Sequence, residues 1–187
     1  VVTEHHPYTR ASSAAIFVEM GTRDEPKGLS GAAHFIEHMV FKGTRRRDAA
    51  AIAREIEDVG GHMNAYTSRE QTAYFARVLS EDLPLAVDLI ADIVQDSVYD
   101  TEELSRERTV ILQEIAQVND TPDDVIFDYF QEIAFPDQPL GRPVLGKPDV
   151  VRSVGRDRLI NYIDTNYGPG SSVLSASGDV DHEQLVE

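Results

Sequence analysis

The sequence contains no cysteine among its 187 residues. Disulfides, thiolate metal sites and cysteine nucleophiles are therefore excluded, and any bound metal must be held by His, Asp or Glu. Basic residues are also few, because 17 Lys and Arg stand against 33 Asp and Glu, giving a formal net charge of −16. Phosphate binding needs a basic surface, so no nucleic acid partner is expected. The acidic excess either attracts cationic partners, such as basic peptides, or only keeps the protein in solution.

Long apolar runs are missing as well. No stretch approaches the roughly 20 apolar residues that a membrane-spanning helix needs, so no membrane span is predicted. The chain opens with VVTEHHPYTR, in which no basic segment precedes an apolar one, and no signal peptide is predicted. We therefore expect a bacterial cytoplasmic location, with the periplasm and an organellar matrix as alternatives.

The length and the 41% hydrophobic fraction indicate one globular domain over residues 1–187. Ser30, Thr101 and Thr121 are predicted helix N-caps. Residues 135–149, which hold four prolines, are predicted to form a loop. Strands are predicted at 14–20, 62–66, 71–79 and 171–177, and helices at 30–41, 48–59, 82–95, 101–118, from 122 onward and 153–166. This irregular order favours an α+β fold over a regular βαβ array. A helix that begins in the tail DHEQLVE indicates a fragment of a longer protein.

The segment HFIEH at 34–38 carries the chemistry. His34 and His38 are four residues apart on one face of a predicted helix, where two imidazoles can reach one tetrahedral zinc ion. Glu37 flanks the same face, so its carboxylate can take a proton from water that the zinc has made more acidic. The order H-x-x-E-H is the inverse of the usual metalloprotease motif H-E-x-x-H.

The alternative interpretation is a solvated helix with two surface histidines and a glutamate. The neighbours of the motif argue against it, because nearly all of them are suited to burial and buried polar side chains need partners or a metal. These neighbours are Ala32, Ala33, Phe35, Ile36, Met39, Val40 and Phe41.

A catalytic zinc ion needs a third protein ligand and one open position. In the predicted helix 101–118, Glu107 and Glu114 are two turns apart and point the same way. The apolar residues between them on that face suggest that it is turned inward, where carboxylates need partners. From the residues alone, an equal alternative is that Glu107 pairs on the surface with Arg106, Arg108 or Lys147.

Several segments together resemble the pitrilysin-type (inverzincin) zinc peptidases, the family that includes the mitochondrial processing peptidases. The likeness is greatest to bacterial homologues of the processing-peptidase β subunit and runs along nearly the whole chain. The segments are GTRDEPKGLSGAAHFIEHMVFKGT (21–44), VGGHMNAYTSREQTAYFARVL (59–79), ERTVILQEI (107–115), PLGRPVLGKPDVV (139–151) and YGPGSSVLSASGDVDHEQLV (167–186). The resemblance implies a mixed, largely antiparallel sheet with helices packed on one face.

The resemblance also implies a role for each residue of the motif. His34 and His38 match the family's zinc histidines, and Glu37 matches its general base. Glu114 lies 76 positions after His38, where the family has its third ligand, and it completes a site for one zinc ion. Glu107 matches an acidic residue that acts near the metal, which fits the general need to orient ligating histidines.

Two further implications concern substrate and partner. Asn64 and Ala65 match an edge strand that pairs with an extended peptide, which is β-augmentation; without the resemblance, Asn64 would be interpreted as a simple turn or strand-end residue. The family is built from two related halves, so a second homologous half or a partner subunit is expected. The expected function is a zinc-dependent metalloendopeptidase that cleaves unstructured peptides, basic or presequence-like ones in particular.

Three rival interpretations are a non-catalytic scaffold subunit of the same fold, a hydrolase of a non-peptide substrate, and a structural metal site. The complete H-x-x-E-H motif argues against a scaffold, and the substrate strand argues for a peptide. A structural site needs a fourth ligand, for which His62 is the nearest candidate. His5, His6 and His182 are expected to be exposed or to flank a helix.

Overall fold

The computed structural model describes residues 1–186. The strands are β1 (Val2–His5), β2 (Ala11–Val18), β3 (His62–Thr67), β4 (Thr72–Leu79) and β5 (Ser172–Gly178). The helices are α1 (Ala32–Val40), α2 (Ala49–Asp58), α3 (Leu83–Gln95), α4 (Thr101–Asp120), α5 (Pro122–Ala134), α6 (Pro148–Ser153), α7 (Arg156–Asn166) and α8 (His182–Val186). Within this range, no helix is both long and apolar enough to cross a membrane.

The five strands form one sheet in the order β1-β5-β2-β4-β3. Only β1 and β5 are parallel, while the other three pairs are antiparallel. Along β4, Tyr74, Ala76 and Val78 are buried while Arg77 and Leu79 are exposed, as the twofold alternation of a half-buried strand requires. Helix α3 packs on β2 and β4, and α1 and α2 pack on β3. The predicted α+β fold with a mixed, largely antiparallel sheet is confirmed.

The structure differs from the sequence predictions in one strand that was missed and in the bounds of three predicted segments. Strand β1 was not predicted, because its few residues become a strand only by pairing with the distant β5. Strand β2 runs from Ala11 to Val18 rather than over 14–20. The predicted loop 135–149 ends in helix α6, which starts at Pro148, and α7 begins only at Arg156 after a break at Val154 and Gly155.

Helix α1 is capped by a side chain from outside the helix. The residue at its N-cap is Gly31, with φ of 93°, and not Ser30, whose hydroxyl is buried and has no hydrogen-bond partner. The Glu25 carboxylate instead accepts hydrogen bonds from the backbone N–H of Gly31 at 2.7 Å and of Ala33 at 2.8 Å. Burial raises the pKa of Glu25 to about 7, although these two hydrogen bonds oppose the rise.

The cap of helix α4 also differs from the prediction by one residue. Asp100, rather than Thr101, is the N-cap, and its Oδ1 accepts hydrogen bonds from the backbone N–H of Glu102 and Glu103. Both residues are of the type that caps helices, so the spacing of the sequence did not distinguish them.

A buried ion-pair network fastens the loop that follows α1 to helix α3. The side chain of Asp92 on α3 is 1% exposed. Its Oδ2 accepts hydrogen bonds from Arg47 Nη1 at 2.7 Å and from Thr44 Oγ1 at 2.9 Å. Arg47 also donates to Asp88 and Glu55. The end of α1 is thereby held at a fixed place against the rest of the fold.

We expect Asp92→Asn to lower the free energy of unfolding by about 2 kcal/mol, because a buried amide cannot replace the charge-assisted hydrogen bonds that the carboxylate accepts from Arg47 and Thr44. Urea denaturation followed by circular dichroism measures the loss. The control is Asp149→Asn in the exposed Asp149–Arg152 pair, which should change stability by less than about 1 kcal/mol. Equal effects of the two substitutions would contradict a structural role for the buried network.

Candidate metal centre

Helix α1 presents its two histidines side by side. His34 and His38 are one turn apart, and their ring centroids lie 4.7 Å from each other at an interplanar angle of 70°. Most other residues of this helix are buried apolar side chains, so the helix lies in the interior and its neighbours hold it there. His34 is itself only 7% exposed.

Helix α4 brings a carboxylate to the same point. Glu114 Oε2 lies 3.6 Å from His34 Nε2 and 3.4 Å from His38 Nε2. One ligand atom from each of the three residues lies within 4.8 Å of the other two. The structure thus brings together three groups that could hold a metal ion and that are far apart in the sequence.

The residues suit a metal ion of the zinc type. Ligand atoms about 2.0–2.1 Å from a tetrahedral ion lie about 3.3–3.4 Å apart, close to the separations of Glu114 from the two histidines. Burial lowers the pKa of His34 to about 4, against the opposing charge of Glu114, so this imidazole is neutral and its lone pair is free to bind. Two imidazole nitrogens and one carboxylate oxygen form a donor set typical of catalytic zinc sites.

Glu107 holds His38 from the side opposite Glu114. Its Oε2 lies 3.0 Å from His38 Nδ1, and its Oε1 lies 2.8 Å from Lys42 Nζ. Burial would raise the pKa of Glu107, but the hydrogen bonds from Lys42 and His38 more than offset this and the pKa is lowered. Burial likewise would lower the pKa of His38, but the hydrogen bonds with Glu114 and Glu107 raise it.

The predicted surface alternatives for Glu107 were wrong. The side chain is 8% exposed and makes no ion pair with Arg106, Arg108 or Lys147. Arg106 instead pairs with acidic residues of its own helix, and Arg108 donates to the backbone carbonyls of two residues in and after α6.

Glu37 is half-buried on α1 beside the histidines. Burial raises its pKa, while the hydroxyl of Thr67 at the end of β3 and the nearby His38 act in the opposite direction. Its Oε2 is buried and has no hydrogen-bond partner. A carboxylate in such a place has an oxygen free to accept a proton and an environment that favours keeping it.

Strand β3 lies at the edge of the sheet, next to α1. Asn64 is exposed on this strand and Ala65 is buried, with the backbone N–H of Ala65 donating to Asn64 Oδ1 at 2.9 Å. Thr67 of the same strand lies next to Glu37, so strand β3 passes close to the residues of the metal site on α1. The two residues expected to contact a substrate are therefore near the site but are not part of the metal-binding group.

The remaining histidines lie outside that group. His62 is exposed at the start of β3, so it does not supply a fourth ligand among the residues that the structure describes. His5 and His6 are exposed on or beside β1, and His182 is at the first turn of α8, where its Nδ1 is 2.9 Å from Thr3 Oγ1.

Sequence reasoning missed two neighbours of the site, Lys42 and Thr67. Lys42 had a detectable signal, because it follows His38 by four residues, the same spacing that joins the two histidines. Thr67 had none, because its place beside Glu37 depends on how β3 packs against α1.

In sequence, the chain is similar to known peptidases. The sequence model of the family described as Insulinase (Peptidase family M16) matches residues 1–148. A mitochondrial-processing peptidase subunit beta from Lentinula edodes is 45% identical over 187 residues, which is 100% of this chain and 40% of that protein. An uncharacterized zinc protease from Rickettsia bellii is 43% identical over 187 residues, 100% of this chain and 45% of its own length. The chain therefore spans less than half of these relatives.

Solved structures share the fold. A protease from Helicobacter pylori superposes with a TM-score of 0.90 at 24% identity, covering 95% of this chain and 43% of that one. A peptidase M16 inactive domain from Pseudomonas fluorescens gives a TM-score of 0.89 at 16% identity, covering 98% of this chain and 45% of that one.

Proposed function

We propose that this chain, which belongs to the insulinase family of peptidases (peptidase family M16), is the zinc-binding part of a metalloendopeptidase. His34, His38 and Glu114 would hold one zinc ion, and Glu37 would act as the general base. The observation that carries the proposal is the convergence of these three ligands beside a half-buried carboxylate that has an oxygen without a partner.

Residues of this chain would supply the proton transfers of peptide hydrolysis and orient one of the metal ligands. Bound zinc would supply Lewis-acid chemistry, which polarises a carbonyl group and makes water more acidic. Glu37 takes the proton from water and later delivers it to the leaving amine, a role that its raised pKa suits. Glu107 keeps the His38 ring oriented through Nδ1.

The edge of β3 is the proposed place of the substrate. A peptide in extended form can add to an exposed sheet edge through backbone hydrogen bonds. At Asn64 and Ala65 it would lie next to α1, on which Glu37 and the histidines are found. An unstructured peptide is favoured, because a folded one does not offer a free extended strand.

The net charge of −16 supports basic peptides as the substrate class. The first test is zinc analysis together with cleavage of two unstructured peptides of equal length, one basic and one acidic. We expect one zinc ion per chain and faster cleavage of the basic peptide, with an advantage that shrinks as salt screens the charges. Cleavage independent of both peptide charge and salt would contradict selection by charge.

A second homologous half or a partner subunit completes the proposal. Relatives such as the zinc protease from Rickettsia bellii are more than twice the length that this chain covers. We expect the 187-residue chain to bind zinc and to cleave weakly, and the longer protein to cleave efficiently. If the longer protein binds no zinc, or binds it and cleaves neither peptide, the proposed function is wrong.

A further inference from the structure

The two ligating histidines are held in different ways. His34 is buried, and its Nδ1 has no hydrogen-bond partner, so packing alone keeps its ring in place. His38 is more exposed, with 21% of its side chain accessible, and its Nδ1 is held by Glu107. Glu107 therefore fixes the Nδ1 side of the His38 ring, while Nε2 faces Glu114 at 3.4 Å.

The Glu107 carboxylate depends in turn on Lys42. Glu107 is 8% exposed, and an isolated charge at such a place is strongly disfavoured. Among residues 1–186, Lys42 is the only lysine or arginine within ion-pair distance of it. The 2.8 Å contact uses Oε1 and leaves Oε2 for His38, so the two oxygens have separate partners.

Lys42 lies in the turn that directly follows helix α1, four residues after His38. The backbone N–H of Lys42 donates to the Met39 carbonyl at 3.0 Å, an i to i−3 bond of the tightened turn at the helix end. His38 and Lys42 thus both contact Glu107 on α4, His38 from α1 and Lys42 from the turn after it. The ammonium group does not take part in the three-ligand group itself.

The geometry points to Lys42 as a positioning residue of the metal site, acting through Glu107 to hold His38 with Nε2 turned toward the metal. Without the lysine, the buried carboxylate loses its charge partner and has reason to turn toward solvent. The His38 ring would then lose its fixed tautomer and orientation. This inference rests on the proposed zinc site and adds to it a determinant of metal affinity.

The test measures zinc affinity by competition with a chelator, without reference to catalysis. We expect Lys42→Met to weaken zinc binding about tenfold, the low end for loss of a group that orients a ligand. Lys42→Arg should restore most of the affinity. Lys27→Met, in an exposed lysine without an ion pair in the described part of the chain, should leave it unchanged. The visible absorption spectrum of the cobalt-loaded protein should change with Lys42→Met and not with Lys27→Met.

A double substitution separates positioning from general loss of structure. If Lys42 acts through Glu107, then Lys42→Met should have no further effect on zinc affinity in a Glu107→Gln background. Additive losses, or a Lys42→Met protein with wild-type affinity and cobalt spectrum, would overturn the inference while leaving the zinc site intact. Absence of zinc binding in the unaltered protein would instead overturn the proposed function itself.

Discussion

Glu37→Gln is expected to abolish peptide hydrolysis in the full-length protein, with kcat/KM lowered roughly 10³-fold or more, while one zinc ion per chain remains bound. The loss follows because a general base contributes about 10²–10⁴-fold and an amide cannot accept the proton. Zinc stays because Glu37 is not one of the three converging groups. Metal analysis and cleavage of a basic peptide on the same sample measure both quantities.

The control for this substitution is Glu57→Gln, which removes an exposed glutamate of α2. It should leave both zinc and activity unchanged. Substantial hydrolysis by Glu37→Gln would remove Glu37 from the role of base, whereas parallel loss of zinc and activity would mean that it holds the metal.

Glu114→Gln should release zinc on dialysis, with affinity lowered at least about 100-fold, because a neutral amide oxygen is a much weaker ligand than a carboxylate. Glu107→Gln is the matched comparison, since it changes the same group two turns away on the same helix. It should keep its zinc through the same dialysis and lose more activity than metal. The reverse pattern would exchange the roles of the two glutamates.

The part of the site that could be predicted from the sequence is the part that lies within one helix. The four-residue spacing of His34 and His38 fixes their neighbourhood on α1 by local geometry alone. Glu107 and Glu114 could be placed on a common face, but the residues themselves could not decide between a metal site and surface pairs. The choice between a metal site and surface pairs depends on how α1 packs against α4. The family resemblance implied this packing, and the structure has it.

In the fold as well, features that depend on neighbouring residues could be predicted, and features that depend on residues far away in the sequence could not. Asp48, where the helix 48–59 was predicted to begin, is the N-cap of α2 and accepts a hydrogen bond from the backbone N–H of Ala51 in its own helix. The cap of α1 comes from Glu25 in a preceding loop, so Ser30, the residue favoured by local rules, was the wrong choice. Strand β1 was missed for a related reason, because its partner β5 is about 170 residues away.

The position of β3 has a consequence for the protein in solution. A strand at the edge of a sheet offers unpaired backbone groups to any extended chain, including the sheet of another molecule. The edge proposed to receive a substrate is therefore also a place where aggregation can begin. Its six residues and its exposed polar side chains at His62 and Asn64 limit that tendency, since short and polar edges are poor templates for further sheet growth. Substitutions that make this strand more apolar should therefore raise insolubility while leaving the backbone groups that a peptide would bind.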